Sequence, residues 1–211
     1  MRFGELLATD GVEERCELRS TVGVMAFHGG NLERVTEEIA EAVANRTGAS
    51  LYTVVQHHPL RQHVPSSKVL RSESTALNEF LGHVSTVIAV HGYGREGMWT
   101  SLLLGGSNRT LAASMATHLR RELPDFNAVD DVEQIPSDLR GLHRDNPVNV
   151  PSNGGVQIEL PPRVRGLTPH AASMERVDGM IVWTRRLVTA ISCAVNDLGR
   201  VSQNEGSPHS H

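Results

Sequence analysis

Two short apolar runs end in the same dipeptide, and that recurrence constrains this chain most. TVGVMAF (21–27) and VSTVIAV (84–90) each run straight into His-Gly. Runs this short, rich in β-branched and apolar residues, read as strands buried on both faces. Helical stripes lie between and after them. Leu32, Val35, Ile39 and Val43 recur at helical spacing, opposite Glu37, Glu38 and Glu41, and Gly48 is placed to end that helix. Leu111, Met115, Ala116, Leu119 and Leu123 form a second stripe that stops at Pro124. Val177, Ile181, Trp183, Leu187, Ile191, Val195 and Leu198 mark a long last helix. Further strands are expected at 50–56, 100–106 and 155–160, with a short helix at 74–83. Strands alternating with helices predict an α/β fold with a mostly parallel central sheet.

Length and composition narrow the function classes. The 211 residues suit a single catalytic domain over 1–200, with 201–211 (SQNEGSPHSH and the residue before it) expected to be a disordered tail. The net charge of −4 gives no basic excess with which to neutralise phosphates, so no nucleic-acid partner is expected. No apolar run reaches the ~20 residues of a membrane helix, and no membrane partner is expected. The first residues carry no secretory h-region or cleavage site. The expected location is therefore cytoplasmic, or wherever lysis releases the protein if a phage encodes it. Cys16 and Cys193 are too few for a disulfide framework or a four-cysteine metal site. No glycine-rich phosphate loop is present.

In open α/β sheets, ligands gather beyond the carboxyl ends of the strands. Three reactive side chains fall there: His28, His91 and, in GVQIEL, Glu159. In HGGNLE, Gly29 and Gly30 permit a tight turn, Asn31 is placed to cap the next helix, and Glu33 falls in its first turn. His28, Glu33 and His91 then form a two-imidazole, one-carboxylate set, as in catalytic zinc sites that keep a position for water. Glu159 is the candidate proton shuttle, with Gln157 on its face of the strand. Each piece also has a plain structural reading: a packed turn histidine, a helix-dipole carboxylate, a solvent-facing strand residue. The joint placement at strand ends outweighs any one of them. His57, His58 and His63 are read as loop residues near the site.

MAFHGGNLERVTEEIAEAV, VIAVHGYG followed by LLLGG, and GGVQIELPPRVR together resemble the poly-γ-glutamate hydrolase family of phage and bacterial zinc enzymes, itself distantly similar to the zinc carboxypeptidases. The resemblance runs in order over most of residues 20–166. It implies a mixed central sheet flanked by helices, of zinc carboxypeptidase type, in place of an all-parallel one. It implies zinc on His28, Glu33 and His91, with Glu37 and Glu38 less favoured for the carboxylate position, and Glu159 as the catalytic glutamate. It implies an anionic glutamyl polymer as substrate; a small carboxylated amide, cut by an amidase or deacylase, is the alternative. A non-catalytic binding protein keeping the fold is the other reading. Asn108-Arg109 resembles the pair with which carboxypeptidases grip a carboxylate, so Arg109 is a candidate substrate anchor; Arg163 and Arg165, which follow Glu159 closely, are candidates to meet a polyanionic substrate, with a solvated surface position as their plain reading. Segments 57–72 and 125–149 carry no alignable motif and are expected to form loops around the site, where substrate choice is made.

Overall fold

The computed structural model describes residues 1–205. In chain order the elements are α1 (Phe3–Leu7), β1 (Val12–Glu17), β2 (Val22–Gly30), α2 (Thr36–Thr47), β3 (Ser50–Gln56), α3 (Thr75–His83), β4 (Thr86–Gly92), β5 (Ser101–Gly105), α4 (Arg109–Glu122), β6 (Asn127–Val129), β7 (Gly155–Leu160), α5 (Pro169–Ala172), β8 (Arg176–Val177), β9 (Met180–Ile181) and α6 (Val182–Glu205). Helix α6 thus covers the first residues of the expected tail, and 206–211 lie outside the described residues. No helix among the described residues is long and apolar enough to cross a membrane.

Seven strands form one mixed sheet in the order β1-β3-β2-β4-β7-β5-β6. The centre, β3-β2-β4-β7, is parallel, while β1 and β5 run antiparallel to their neighbours β3 and β7. The mixed sheet is the one the family resemblance implied; strand–helix alternation alone pointed to a more parallel one. The difference lies in β1 and β5, whose direction is set by pairing partners. Strand β1, VEERCE, escapes a hydrophobicity reading because it is a charged edge strand, a device that blunts unwanted pairing.

Alternation along the strands makes two unlike faces. Val24, Ala26, Ile88, Val90, Leu102, Leu104, Val156 and Ile158 point to one face and are fully buried there. The apolar stripes of α2, α4 and α6 cover them: Ile39 and Val43, Leu111 and Met115, Leu187 and Ile191. Truncating one of these large side chains to Ala costs about 2–5 kcal/mol. The other face receives Met25, Phe27, Val87 and Ala89, packed by Phe3 and Leu6 of α1 and Leu77 and Phe80 of α3. Both helices are short; α3 packs at the start of β2, where a Cβ at Gly23 would meet Phe80, and α1 leads into β1 beside the end of β3. The carboxyl ends of β2, β4 and β7 on this face are covered only by loops, and there a cavity of about 580 Å³ opens. Its walls come from the two segments without motif, through His63, Pro65 and Ser66 on one side and Leu139, Gly141 and Asn146 on the other.

Candidate active site

Alternation alone would send His28 to the wrong side of the sheet. Val24 and Ala26 face the three-helix core, so residue 28 should follow them. The pairing of β2 with β3 slips between Ala26 and Gly29, inserting one extra residue. Such a bulge re-aims side chains at sites of function. Here it turns the His28 ring to the open face, with centroids 4.8 Å from Phe27 and 5.0 Å from His91. His91 needs no such device, since it shares its face with Val87 and Ala89.

Glu33 reaches the same point by a route different from the one its sequence predicts. Helix α2 begins only at Thr36, so Glu33 lies in the turns before the helix and Asn31 is not its cap. Instead the Glu33 N–H donates to the His28 carbonyl (2.9 Å), and the Asn31 side chain donates to the Leu60 carbonyl. The turn forces Val35 to φ 77°, a strained conformation for a β-branched residue. Gly30 is also left-handed, at φ 70°, and a Cβ there would sit 2.4 Å from the Gln56 carbonyl oxygen, so only glycine fits.

The result is a buried cluster. Glu33 Oε1 lies 2.9 Å from His28 Nδ1, and Oε2 lies 3.2 Å from His91 Nδ1. One ligand atom from each residue can be chosen so that all lie within 4.8 Å of one another. The Gly92 N–H donates to Glu33 Oε2 (2.9 Å) and holds the carboxylate in place. His28 Nε2 meets the Val64 carbonyl at 2.8 Å; a carbonyl only accepts, so Nε2 carries the hydrogen. Nδ1 then faces an anionic oxygen, a contact that is favourable with a proton on Nδ1 or with a metal ion between the two groups. His91 Nε2 is buried with no hydrogen-bond partner. Both features fit a metal ion among the three residues, with the Val64 carbonyl fixing one ligand's ring in the usual way. Burial raises the Glu33 pKa, but the two histidines outweigh it and hold the carboxyl well below its usual range. Burial lowers the His91 pKa, and Glu33 more than reverses this.

Glu159 stands beside this cluster, paired with His91 across the β4–β7 ladder. It is 5% exposed, and burial pushes its pKa up to about 7 against the opposing pull of His91. Gln157 Nε2 donates to Glu159 Oε1 (2.9 Å), and Asn146 Nδ2 donates to Gln157 Oε1 (2.7 Å). This chain of amides orients the acid. Gln157 was legible as a neighbour on the same face; Asn146 comes from an unaligned loop and had no sequence signal.

The structure therefore gathers His28, Glu33, His91 and Glu159, and places Arg109 and Arg163 outside the cavity. Arg109 opens α4, and its guanidinium donates to the carbonyls of Leu104, Gly106 and Asp130. Those carbonyls take three of its five N–H donors. Arg163 lies over the Trp183 ring, 4.9 Å from its centroid, and near Phe126. Glu37 and Glu38 are on α2, outside the cavity lining. His63 lines the cavity 4.9 Å from the His28 ring, whereas His57 faces Glu13 on the exterior.

Comparison with known proteins bears on the fold and the family. Among curated proteins no sequence matches the chain. A bacteriophage poly-gamma-glutamate hydrolase structure superposes with a TM-score of 0.77 at 23% identity, covering 93% of this chain and 95% of that one. A protein described as YndL, in a zinc-free apo form, gives 0.72 at 19% identity over 92% and 95%. A Burkholderia mallei protein described as a putative carboxypeptidase gives 0.50 at 11% identity over 94% and 66%. These likenesses establish the fold. The family model for poly-gamma-glutamate hydrolase matches residues 7–176, a span that contains every residue of the cluster, and the chain therefore belongs to the poly-gamma-glutamate hydrolase family.

Proposed function

We propose that this hydrolase is a zinc-dependent amidohydrolase cleaving the γ-glutamyl amide bonds of poly-γ-glutamate. The observation that carries the reading is the meeting of His28, Glu33 and His91 on one open sheet face with Glu159 as the ladder partner of His91. Two imidazoles and one carboxylate are a zinc ligand set that leaves room for water or substrate. When bound, zinc supplies Lewis acidity toward the scissile carbonyl and makes water a stronger acid.

The chain's own groups do the rest. Gln157 occupies Glu159 Oε1, which leaves Oε2, without a hydrogen bond among the described residues, to take a proton from the attacking water. The same oxygen returns that proton to the departing nitrogen, so Glu159 ends the cycle as it began. Burial keeps the carboxyl able to hold a proton between these steps. The loops bearing His63 and Leu139 narrow the approach over the cluster.

The test uses the full chain, with metal content measured alongside the size distribution of poly-γ-glutamate. Zinc near one equivalent with chain shortening supports the proposal. Zinc with turnover only of short acyl amino acids replaces it with a small-amide deacylase, and a stable metal complex without turnover replaces it with a binding protein.

A further inference from the structure

A second cavity, of about 470 Å³, adjoins the first and shares Leu32, Gly92 and Tyr93 with it. Its walls carry Arg34, Arg61 and Arg165 together with Asn31, and no carboxylate. No ion pair engages any of these three arginines among the described residues. Arg165 is the most informative. It is only 6% exposed, yet its guanidinium meets only two backbone carbonyls, those of Arg34 (3.0 Å) and Tyr93 (3.2 Å), and its Nε is buried with no partner. A buried cation is normally paired with an anion. Burial lowers the Arg165 pKa, and the nearby Glu33 and Glu159 charges oppose that without contacting the guanidinium. The backbone makes room for it: a Cβ at Gly92 would stand 2.5 Å from Arg165 Nη1.

The first cavity is the reverse. Its lining holds Glu33, Asp138 and Glu159 and neither arginine nor lysine. A polymer with one carboxylate per residue has nowhere to place its neighbouring charges there. We propose that the Arg34–Arg61–Arg165 cavity is the carboxylate subsite of this enzyme, receiving the free carboxylates of γ-glutamyl residues adjacent to the one being cut. The assignment rests on the γ-glutamyl reading above. Planar guanidinium forks suit carboxylates, and a recessed cationic pocket concentrates them in a chain whose net charge is negative.

The experiment is a titration of the full-length chain with a γ-glutamyl pentamer and with its methyl ester, in a Glu159→Gln background that keeps the ligand intact. The acid should bind at least about tenfold tighter than the ester, and Arg34→Gln with Arg61→Gln should remove that preference and its salt dependence. These two positions are exposed, so folding should be unaffected. Arg165→Lys keeps the charge and loses the fork, and should weaken the acid about tenfold. Equal affinity of the variants and the parent for the acid overturns the subsite, as does a parent that ignores esterification. Wild-type turnover is read separately. Arginine-dependent binding without chain shortening keeps the subsite and removes the proposed reaction; chain shortening with arginine-independent binding does the opposite.

Discussion

The two adjoining cavities differ in almost every chemical respect while sharing a wall of Leu32, Gly92 and Tyr93. One gathers imidazoles and carboxylates at the ends of three central strands; the other gathers guanidinium groups from loops. The difference teaches that this fold separates the chemistry from the recognition of charge. An arginine placed directly against Glu33 and His91 would compete with a metal for the carboxylate. Holding Arg165 behind Gly92 keeps Glu33 free for its two histidines.

The largest effects should break the first cavity and spare the second. Glu159→Gln should lower kcat by about 10²–10⁴-fold while metal content stays near that of the wild type, measured by turnover and elemental analysis. Glu33→Gln should reduce metal affinity by at least tenfold to a hundredfold and abolish turnover with it, while arginine-dependent binding of the pentamer persists in the metal-free protein. Gln157→Leu should cost about tenfold or more in kcat, since Glu159 loses its orienting donor; an unchanged kcat would show that the amide chain is only structural.

Gly92→Ala sharpens the comparison because it acts on the shared wall. The added Cβ must displace the Arg165 guanidinium, and we expect a loss of about 1–3 kcal/mol in denaturant unfolding, with acid–ester discrimination falling more than metal affinity. The smallest effect concerns a carboxylate outside both cavities. Glu37 Oε2 is buried without a partner, and burial, with Glu38 nearby, raises its pKa to about 7 despite a backbone hydrogen bond at Gly30. A raised acid stabilises the fold fully below its ordinary value near 4.5 and loses that contribution as pH rises through 7. Glu37→Gln should therefore stabilise the protein by about 1–3 kcal/mol at pH 8 and by little at pH 4, read from unfolding midpoints at the two values.

Much of the fold was legible because it is written in local periodicity. The buried strands, most of the stripes of α2, α4 and α6, and the left-handed Gly48 after α2 follow from spacing within a dozen residues, whereas Val177 and Ile181, expected on the last helix, form the β8–β9 hairpin, and Leu32 and Val35 precede α2. Strand β1 was not legible because its charges suit an edge, and β6 is only three residues long. The chemistry of the cluster showed in the sequence as residue types at strand ends. Arg109 and Arg163 looked equally apt there, since a guanidinium's partners do not show in its neighbours along the chain.

By itself, then, the sequence determined which residues alternate, which helices present an apolar stripe, and which reactive side chains arrive at strand ends. Those properties depend on near neighbours. Only the tertiary structure decided which way the reactive groups point. The slip that turns His28 depends on pairing with β3, and its ring is fixed by a carbonyl 36 residues away. Asn146 reaches Gln157 from a loop, and Arg165 is held by the carbonyls of Arg34 and Tyr93, separated from it by 131 and 72 residues. Contacts across such separations leave no period in the chain, because their geometry exists only after the sheet has closed the distance.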